Sequence, residues 1–214
     1  MHLSVISTNS SDFIKHQAKY DQFLQLVESS DSPAAINMGH EPPAGLVYLL
    51  KGKHRWNKDS GELALLHNDE TDSIVGISAV EHSTLLPELG SGGNRCWLLP
   101  GYRTSNEVTT YLLNSNFNWC KENEKVGMVL TFNDHNKWIY DTVKKLSSNT
   151  GTTLGTVWSK WWSDCIILPR RIRYFNTRQW AIIKPIDREE CLKLAEEIDK
   201  KYGTRDAPYV YTEK

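Results

Sequence analysis

The chain has 214 residues, of which 39% are hydrophobic and 24% charged, as is typical of a soluble globular protein. The 25 lysines and arginines against 26 aspartates and glutamates give a net charge of -1, which excludes a strong overall attraction to nucleic acid but allows a local basic patch. No apolar run approaches the roughly 20 residues of a membrane span, and the first residues lack the pattern of a signal peptide. We therefore expect a cytoplasmic protein without a membrane partner.

The cysteines and histidines do not predict a metal site. The four cysteines form no C-x-x-C pair, and no His/Cys cluster has zinc-ligand spacing. We expect reduced thiols and no metal. The cysteines are Cys96, Cys120, Cys165 and Cys191.

The N-terminal half is predicted to contain a strand, a helix and a hairpin. Leu3–Ser7 is a short apolar run, and Ser11 is placed to cap a helix that extends to about Val27. Glu62–His67 and Ser73–Glu81 are apolar runs joined by NDETD, which is the pattern of a β-hairpin.

The middle of the chain is predicted to form a connector, a strand and a helix. Leu86–Asn94 contains PELGSGGN and is predicted as a flexible connector, and Arg95–Leu99 as the next strand. After Pro100 a helix begins, with Thr104 and Glu107 spaced as a capping box. Its apolar face is predicted to carry Val108, Tyr111, Leu112 and Trp119.

The remaining elements complete a mixed fold. An apolar strand at Val126–Phe132 precedes a helix capped by Asn133 or Asp134, and beyond Gly151 the pattern becomes strand-like through TLGTVWSKWWSDCIIL and RQWAIIKPI. A last helix opens with the capping pair Asp187 and Glu190 and ends near Gly203. We expect an α/β or α+β sheet with helices on both faces, one domain over residues 1–186, and a C-terminal helix and tail over 187–214.

Two short segments carry a resemblance to a known family. LLPGYR at Leu98–Arg103 and NDHNKWIY at Asn133–Tyr140 resemble two motifs of the GNAT superfamily of N-acetyltransferases. The resemblance implies a central mixed, mostly antiparallel sheet, splayed beside the Pro100 turn. It also implies transfer of an acyl group from acetyl-CoA or another acyl-CoA to an amine. The implied cofactor contacts are Leu99, Arg103, Thr104, Ser105, Asn106, Glu107, Val108 and Asn133.

The phosphate turn departs from the family pattern at two positions. Asn106 and Val108 stand where the family has glycines, and a side chain there obstructs a close backbone approach to phosphate. Two alternatives therefore remain. The turn is an ordinary capped helix start without a phosphate, or the protein is a non-catalytic binding module with the same fold.

The resemblance also implies catalytic residues. Tyr140 matches the family tyrosine that protonates the leaving thiolate; the alternative is a tyrosine that only packs on its helix. The base that takes the amine proton would be Glu81 or His82 at the end of the hairpin strand, or Asp134. The alternative for each is a solvated charge.

A subgroup of the superfamily gives a narrower hypothesis. LPGYRTSNEVT at Leu99–Thr109 and TFND at Thr131–Asp134 resemble the Mom-type phage DNA-modification proteins. That resemblance implies an exocyclic amino group of a DNA base as acceptor, which requires the base to leave the stack. A small-molecule or protein amine is the alternative acceptor.

The segment Val157–Lys184 is basic and aromatic. It has six basic residues and the single acid Asp164, a balance of 6 − 1 = +5. Basic side chains neutralise phosphates and flat rings stack on unpaired bases, so DNA is a candidate partner. The alternative is that strand alternation packs the tryptophans in the core and leaves the arginines in water. The candidate DNA contacts are Lys160, Arg170, Arg171, Arg173 and Arg178.

Overall fold

The computed structural model describes residues 2–28, 60–102, 106–132, 140–141, 143, 157–174 and 177–204. The chain divides into two compact units. The first comprises Met1–His82 and Ser91–Trp119, and the second comprises Ser83–Gly90 and Cys120–Lys214.

The first unit is built on strands that lie side by side in chain order. They are β1 (Leu3–Ser7), β2 (Gly61–Asn68), β3 (Ser73–His82) and most of β4 (Leu89–Leu98). β2 is antiparallel to both β1 and β3, and its Leu65 lies opposite Ile6 on one side and Ile77 on the other. The predicted first strand and the predicted hairpin are confirmed.

A short 3-10 turn at Ser11–His16 leads into helix α1 (Gln17–Glu28). The capping residue is Ser10, whose hydroxyl accepts a hydrogen bond from the Asp12 amide at 3.2 Å, so the prediction of Ser11 was wrong by one residue. Four apolar residues of this helix are buried against β2, β3 and β4. They are Tyr20, Phe23, Leu24 and Val27.

Strand β4 starts at Leu89, so the expectation of a flexible connector over Leu86–Asn94 was wrong. Gly93 has a φ of 67°, in the left-handed region that side chains disfavour. Its amide donates to Asn116 Oδ1 at 3.3 Å. The glycine-rich composition thus belongs to a strand with a local backbone irregularity.

Helix α2 (Asn106–Glu122) follows a 3-10 turn at Pro100–Tyr102. Its buried stripe runs along Leu112, Asn116 and Cys120, which are spaced by four residues. Tyr111 lies outside that stripe and is 56% exposed, so its assignment to the apolar face was wrong.

The second unit is organised around one strand. β8 (Thr177–Pro185) pairs antiparallel with β5 (Gly127–Phe132), β6 (Ile166–Ile167) and β7 (Ile172–Tyr174). Helix α4 (Arg188–Tyr202) packs on one face of this group through Cys191, Leu194 and Ile198. The Asp187 carboxylate accepts from the Glu190 amide at 3.0 Å and the helix ends at Gly203, which confirms both predicted signals.

One predicted strand is a helix. Val157–Ser163, with the sequence VWSKWWS, forms helix α3. Its tryptophans at 158, 161 and 162 stand at i, i+3 and i+4, which is helical spacing. The high strand propensity of valine and tryptophan favoured the opposite prediction.

The elements together give the predicted mixed class: an α+β fold, in which the strands are mostly antiparallel and are combined with helices. Among the helices described, none is long and apolar enough to cross a membrane.

Candidate functional site

The end of β4 and the turn after it are held in place by the first unit. The Leu99 amide donates to Val75 O at 2.9 Å, and the Leu99 carbonyl accepts from the Tyr102 amide at 2.9 Å. Asn68 Nδ2 donates to the Tyr102 hydroxyl at 2.7 Å. Leu99, a predicted cofactor contact, therefore has both backbone groups engaged and its side chain packed against the core.

The side chain of Val108 points into the core. It is 2% exposed and clusters with Leu66, Val75, Leu98 and Leu112. A side chain with these neighbours does not stand over the amide groups at the start of α2. The valine at a family glycine position is thus compatible with an anion at that helix start.

Other predicted cofactor and catalytic residues have no described side chain. Asn106 and Glu107 belong to the first turn of α2 by their backbone. Five lie outside the described residues: Arg103, Thr104, Ser105, Asn133 and Asp134.

A buried asparagine fixes α2 on the sheet. Asn116 is fully buried, and its Oδ1 accepts from Ser78 Oγ at 2.6 Å and from the Gly93 amide at 3.3 Å. Its Nδ2 donates to Ser78 O at 3.3 Å. Satisfied buried polar groups specify one arrangement of the elements that they join. Sequence reasoning missed this residue, although an asparagine in the apolar stripe of a helix is a visible signal.

Tyr140 is a helical residue that is fully buried in the second unit. Its hydroxyl donates to Leu168 O at 2.7 Å, and its ring lies 4.8 Å from the ring of Trp180. The single hydroxyl proton is therefore held by a backbone carbonyl in this arrangement. Protonation of a thiolate by Tyr140 requires that this hydrogen bond be broken.

The two candidate bases on β3 lie on opposite faces of the strand. Glu81 is partly buried and shares a face with Ile77 and Ala79, which pack with α1. His82 is on the other face, where its ring is 5.3 Å from that of Trp119 in α2. The structure thus separates two residues that are adjacent in sequence.

No family model and no curated protein matches this chain in sequence. Solved structures match its fold. An acetyltransferase of the GNAT family from Staphylococcus aureus Mu50 has a TM-score of 0.51 and 14% identity, over 86% of this chain and 99% of its own. A candidate N-acetyltransferase from Lactobacillus plantarum has a TM-score of 0.51 and 13% identity, over 87% and 99%. The chain has the GNAT fold. The fold class implied by the two motifs is thereby confirmed.

Within this GNAT fold, the basic and aromatic segment separates into core and surface. Trp162, Tyr174 and Trp180 are buried, as the packing alternative predicts. Lys184 is buried too, and its ammonium contacts the Asp164 carboxylate and Trp161 O. Arg170 Nε donates to Asp199 Oδ1 at 3.0 Å. The exposed members of the candidate DNA contacts include Lys160, Arg173 and Arg178.

Three of the described cysteines are poor nucleophiles. Burial raises the pKa of the Cys96 and Cys191 thiols to about 11, and that of Cys165 to about 12, so these thiols stay protonated at neutral pH. An acyl-cysteine intermediate on them is disfavoured. In the part of the chain that the structure describes, no three His, Cys, Asp or Glu residues are arranged to hold a metal.

A polar cluster at the β2–β3 turn was not predicted. His67 is buried, and its ring nitrogens face Asp69 Oδ1 at 2.7 Å and Asp72 Oδ1 at 3.1 Å. The Asp69 carboxylate also forms a hydrogen bond with His2 Nδ1 and accepts one from Ser4 Oγ. The signal in the sequence is a histidine at the end of a strand followed by an acidic turn.

Proposed function

We propose that this protein is an N-acyltransferase that moves an acyl group from acetyl-CoA or another acyl-CoA to an amine. The observation that supports the proposal is the connection from β4 to α2. The turn is anchored on Val75 and Asn68, the helix starts at Asn106, and the Val108 side chain packs away from the helix start. The GNAT resemblance assigns the pyrophosphate of the donor to this helix start.

The electrostatics of α2 suit that assignment. The first amides of a helix have no partner within it, and the aligned peptide dipoles make this end positive. A helix of 17 residues that is fixed on the sheet by Asn116 holds these amides in a constant direction. Diphosphate oxygens are ligands that such a helix start binds.

The reaction needs little covalent chemistry from the protein. The amine attacks the thioester carbonyl, a base takes the amine proton, and the tetrahedral intermediate expels the thiolate, which takes up a proton. We propose Glu81, His82 or Asp134 as the base and Tyr140 as the acid. The nucleophile belongs to the substrate, so the remaining task of the protein is orientation.

Titration calorimetry with acetyl-CoA tests the donor site. We expect Asn106→Asp to weaken acetyl-CoA binding, because the new carboxylate repels the diphosphate. The same carboxylate stabilises the helix by about 0.3–1 kcal/mol. The control is Asn114→Asp, an exposed position in the same helix about 12 Å further along its axis.

Retained affinity in Asn106→Asp, or an equal loss in Asn114→Asp, contradicts the assignment of the diphosphate to the α2 start. If the wild type binds neither acetyl-CoA nor a longer acyl-CoA, the proposed function is contradicted. Tight binding without thiol release, over a panel of amine acceptors, would support the non-catalytic module instead.

For the acceptor we propose an amino group of a DNA base, which the Mom-type resemblance and the exposed arginines of the second unit favour. The alternative is a small-molecule or protein amine. Transfer of radiolabel from acetyl-CoA to DNA, polyamines and peptides decides between them. Label in peptides or polyamines but not in DNA rules out the nucleobase acceptor.

A further inference from the structure

The hairpin of β7 and β8 carries its arginines on one face. In β7, Ile172 and Tyr174 are buried in the core beneath α4, and Arg173 between them is exposed. In β8, Ala181 and Ile183 belong to the same core. Because side chains alternate along a strand, Arg173, Arg178 and Trp180 point to the other face. Arg171, the residue before β7, lies over the Trp180 ring.

Two of these arginines lie directly opposite each other. The register pairs Arg173 of β7 with Arg178 of β8, and both are exposed. Opposed side chains in an antiparallel pair have Cβ atoms about 4.5–5.5 Å apart, so both guanidinium groups are within reach of one anion. A phosphate at this place would accept hydrogen bonds from both.

A third guanidinium extends this pair. Arg171 lies over the ring of Trp180, 5.7 Å from its centroid. Arg171 and Arg173 are two residues apart in an extended chain, which separates them by about 6.6 Å. Phosphates of one nucleic-acid strand follow one another about every 3.4 Å along the axis, so the spacing of Arg171 and Arg173 corresponds to about two phosphate steps.

The other basic residues of the segment differ in position or partner. Arg170 points toward α4 and is paired with Asp199, and Lys184 is buried against Asp164. Trp180 is 7% exposed, so it offers no open ring for base stacking. A ligand on this face would therefore be held through its phosphates, without sequence preference.

We propose that Arg171, Arg173 and Arg178 form a face that binds the phosphodiester backbone of nucleic acid. This deepens the proposed function, since backbone contacts would hold a DNA acceptor. The assignment of a DNA base as the acceptor rests on the proposed function. Nucleic-acid binding by this face does not, because it can be measured without any acyl transfer.

The test is fluorescence anisotropy with a labelled duplex of arbitrary sequence, at about 50 and 200 mM salt. We expect the wild type to bind at the lower salt. Arg173→Gln with Arg178→Gln removes two phosphate contacts, each worth about 0.9 in the slope of log affinity against log salt. The wild type should therefore lose roughly tenfold more affinity than the double variant across this salt range.

The matched control is Lys193→Gln with Lys200→Gln, which removes two exposed charges from α4. Binding by this control should follow the wild type, and thermal unfolding should show that all three proteins are folded. No wild-type binding at low salt, an unchanged slope in the arginine variant, or an equal loss in the control overturns the proposal.

Competition separates two sources of phosphate. If acetyl-CoA or inorganic pyrophosphate displaces the duplex at equal concentration, the arginines bind the donor and the nucleic-acid assignment is overturned. If the arginine variant loses the duplex but keeps wild-type affinity for acetyl-CoA, the assignment is supported. If the protein binds the duplex through these arginines but binds no acyl-CoA, the proposed function is contradicted, whereas nucleic-acid binding by this face is still supported.

Discussion

The hydroxyl group of Tyr140 has two candidate roles, one in catalysis and one in holding the fold. The motif resemblance makes it the acid that protonates the thiolate, whereas the structure directs its proton to Leu168 O at 2.7 Å. A tyrosine can serve both roles only if its hydroxyl changes partner during the reaction. Measurements on the group must therefore separate stability from catalysis.

Tyr140→Phe is predicted to change both quantities. Loss of the hydroxyl leaves the buried Leu168 carbonyl without this donor, which should lower the free energy of unfolding by about 1–3 kcal/mol. Loss of a general acid should lower kcat by about a hundredfold or more, with little change in acyl-CoA affinity. Urea unfolding and thiol-release kinetics measure the two effects.

Tyr202→Phe is the matched control, because its hydroxyl also donates to a backbone carbonyl, that of Leu85, at 3.1 Å in the same unit. We expect this variant to lose stability and to keep kcat. A wild-type kcat in Tyr140→Phe, or an equal loss in Tyr202→Phe, would assign Tyr140 to packing alone.

At the scale of elements, Gly127 shows how closely β5 and α4 approach. A Cβ built on Gly127 would lie 2.5 Å from Cys191 Sγ and 3.0 Å from Lys184 O. Cys191 donates from its sulfur to Val126 O at 3.1 Å, so it is not free to move aside without loss. Glycine is needed here for space.

Gly127→Ala is therefore predicted to lower the free energy of unfolding by about 1–3 kcal/mol, the usual cost of overpacking a core. Gly101→Ala is the control, because a Cβ at that exposed turn position meets no atom within 4 Å. Urea unfolding of the two variants gives the comparison. Equal stability of Gly127→Ala and the wild type would show that α4 can shift away from β5.

The elements that the sequence predicts well are those in which several local signals agree. α4 has a capping aspartate, a buried stripe of Cys191, Leu194 and Ile198, and a terminal glycine, and the structure has all three. β4 and α3 were mispredicted because glycine content and strand propensity, respectively, point away from the observed structure in these two segments. Gly93 fits an unusual φ within a strand, and the VWSKWWS segment is helical despite its strand propensity.

For the molecule as a whole, the fold class follows from sequence patterns, whereas the contacts of the candidate site do not. The hydrogen bonds of Leu99 to Val75 and of Tyr140 to Leu168 could not be read from local spacing. Such partners are 24 and 28 residues away in sequence and depend on which strands become neighbours. The site must therefore be argued from contacts, whereas the fold follows largely from patterns.

The β2–β3 turn contributes to the pH dependence of the stability of the whole protein. Hydrogen bonds from His2, His67 and Ser4 hold the pKa of Asp69 well below its usual range. A carboxyl group whose pKa is lowered by folding stabilises the protein above its unfolded pKa of about 3.9. That contribution is lost as the pH falls through the lower, folded value.

Asp69→Asn is accordingly predicted to lower the urea midpoint at pH 6, and the difference from the wild type should shrink as the pH falls below about 4. Asp21→Asn is the control, since it removes the same charge from α1, where the carboxylate bonds to the neutral Gln17 at 3.0 Å. Its difference from the wild type should be smaller at pH 6. A gap for Asp69→Asn that stays constant from pH 6 to pH 2.5 would show that the turn is held by its shape and not by the ionised carboxylate. Added salt should narrow the gap at pH 6, because the Asp69 side chain is in contact with solvent and its ionic interactions are screened.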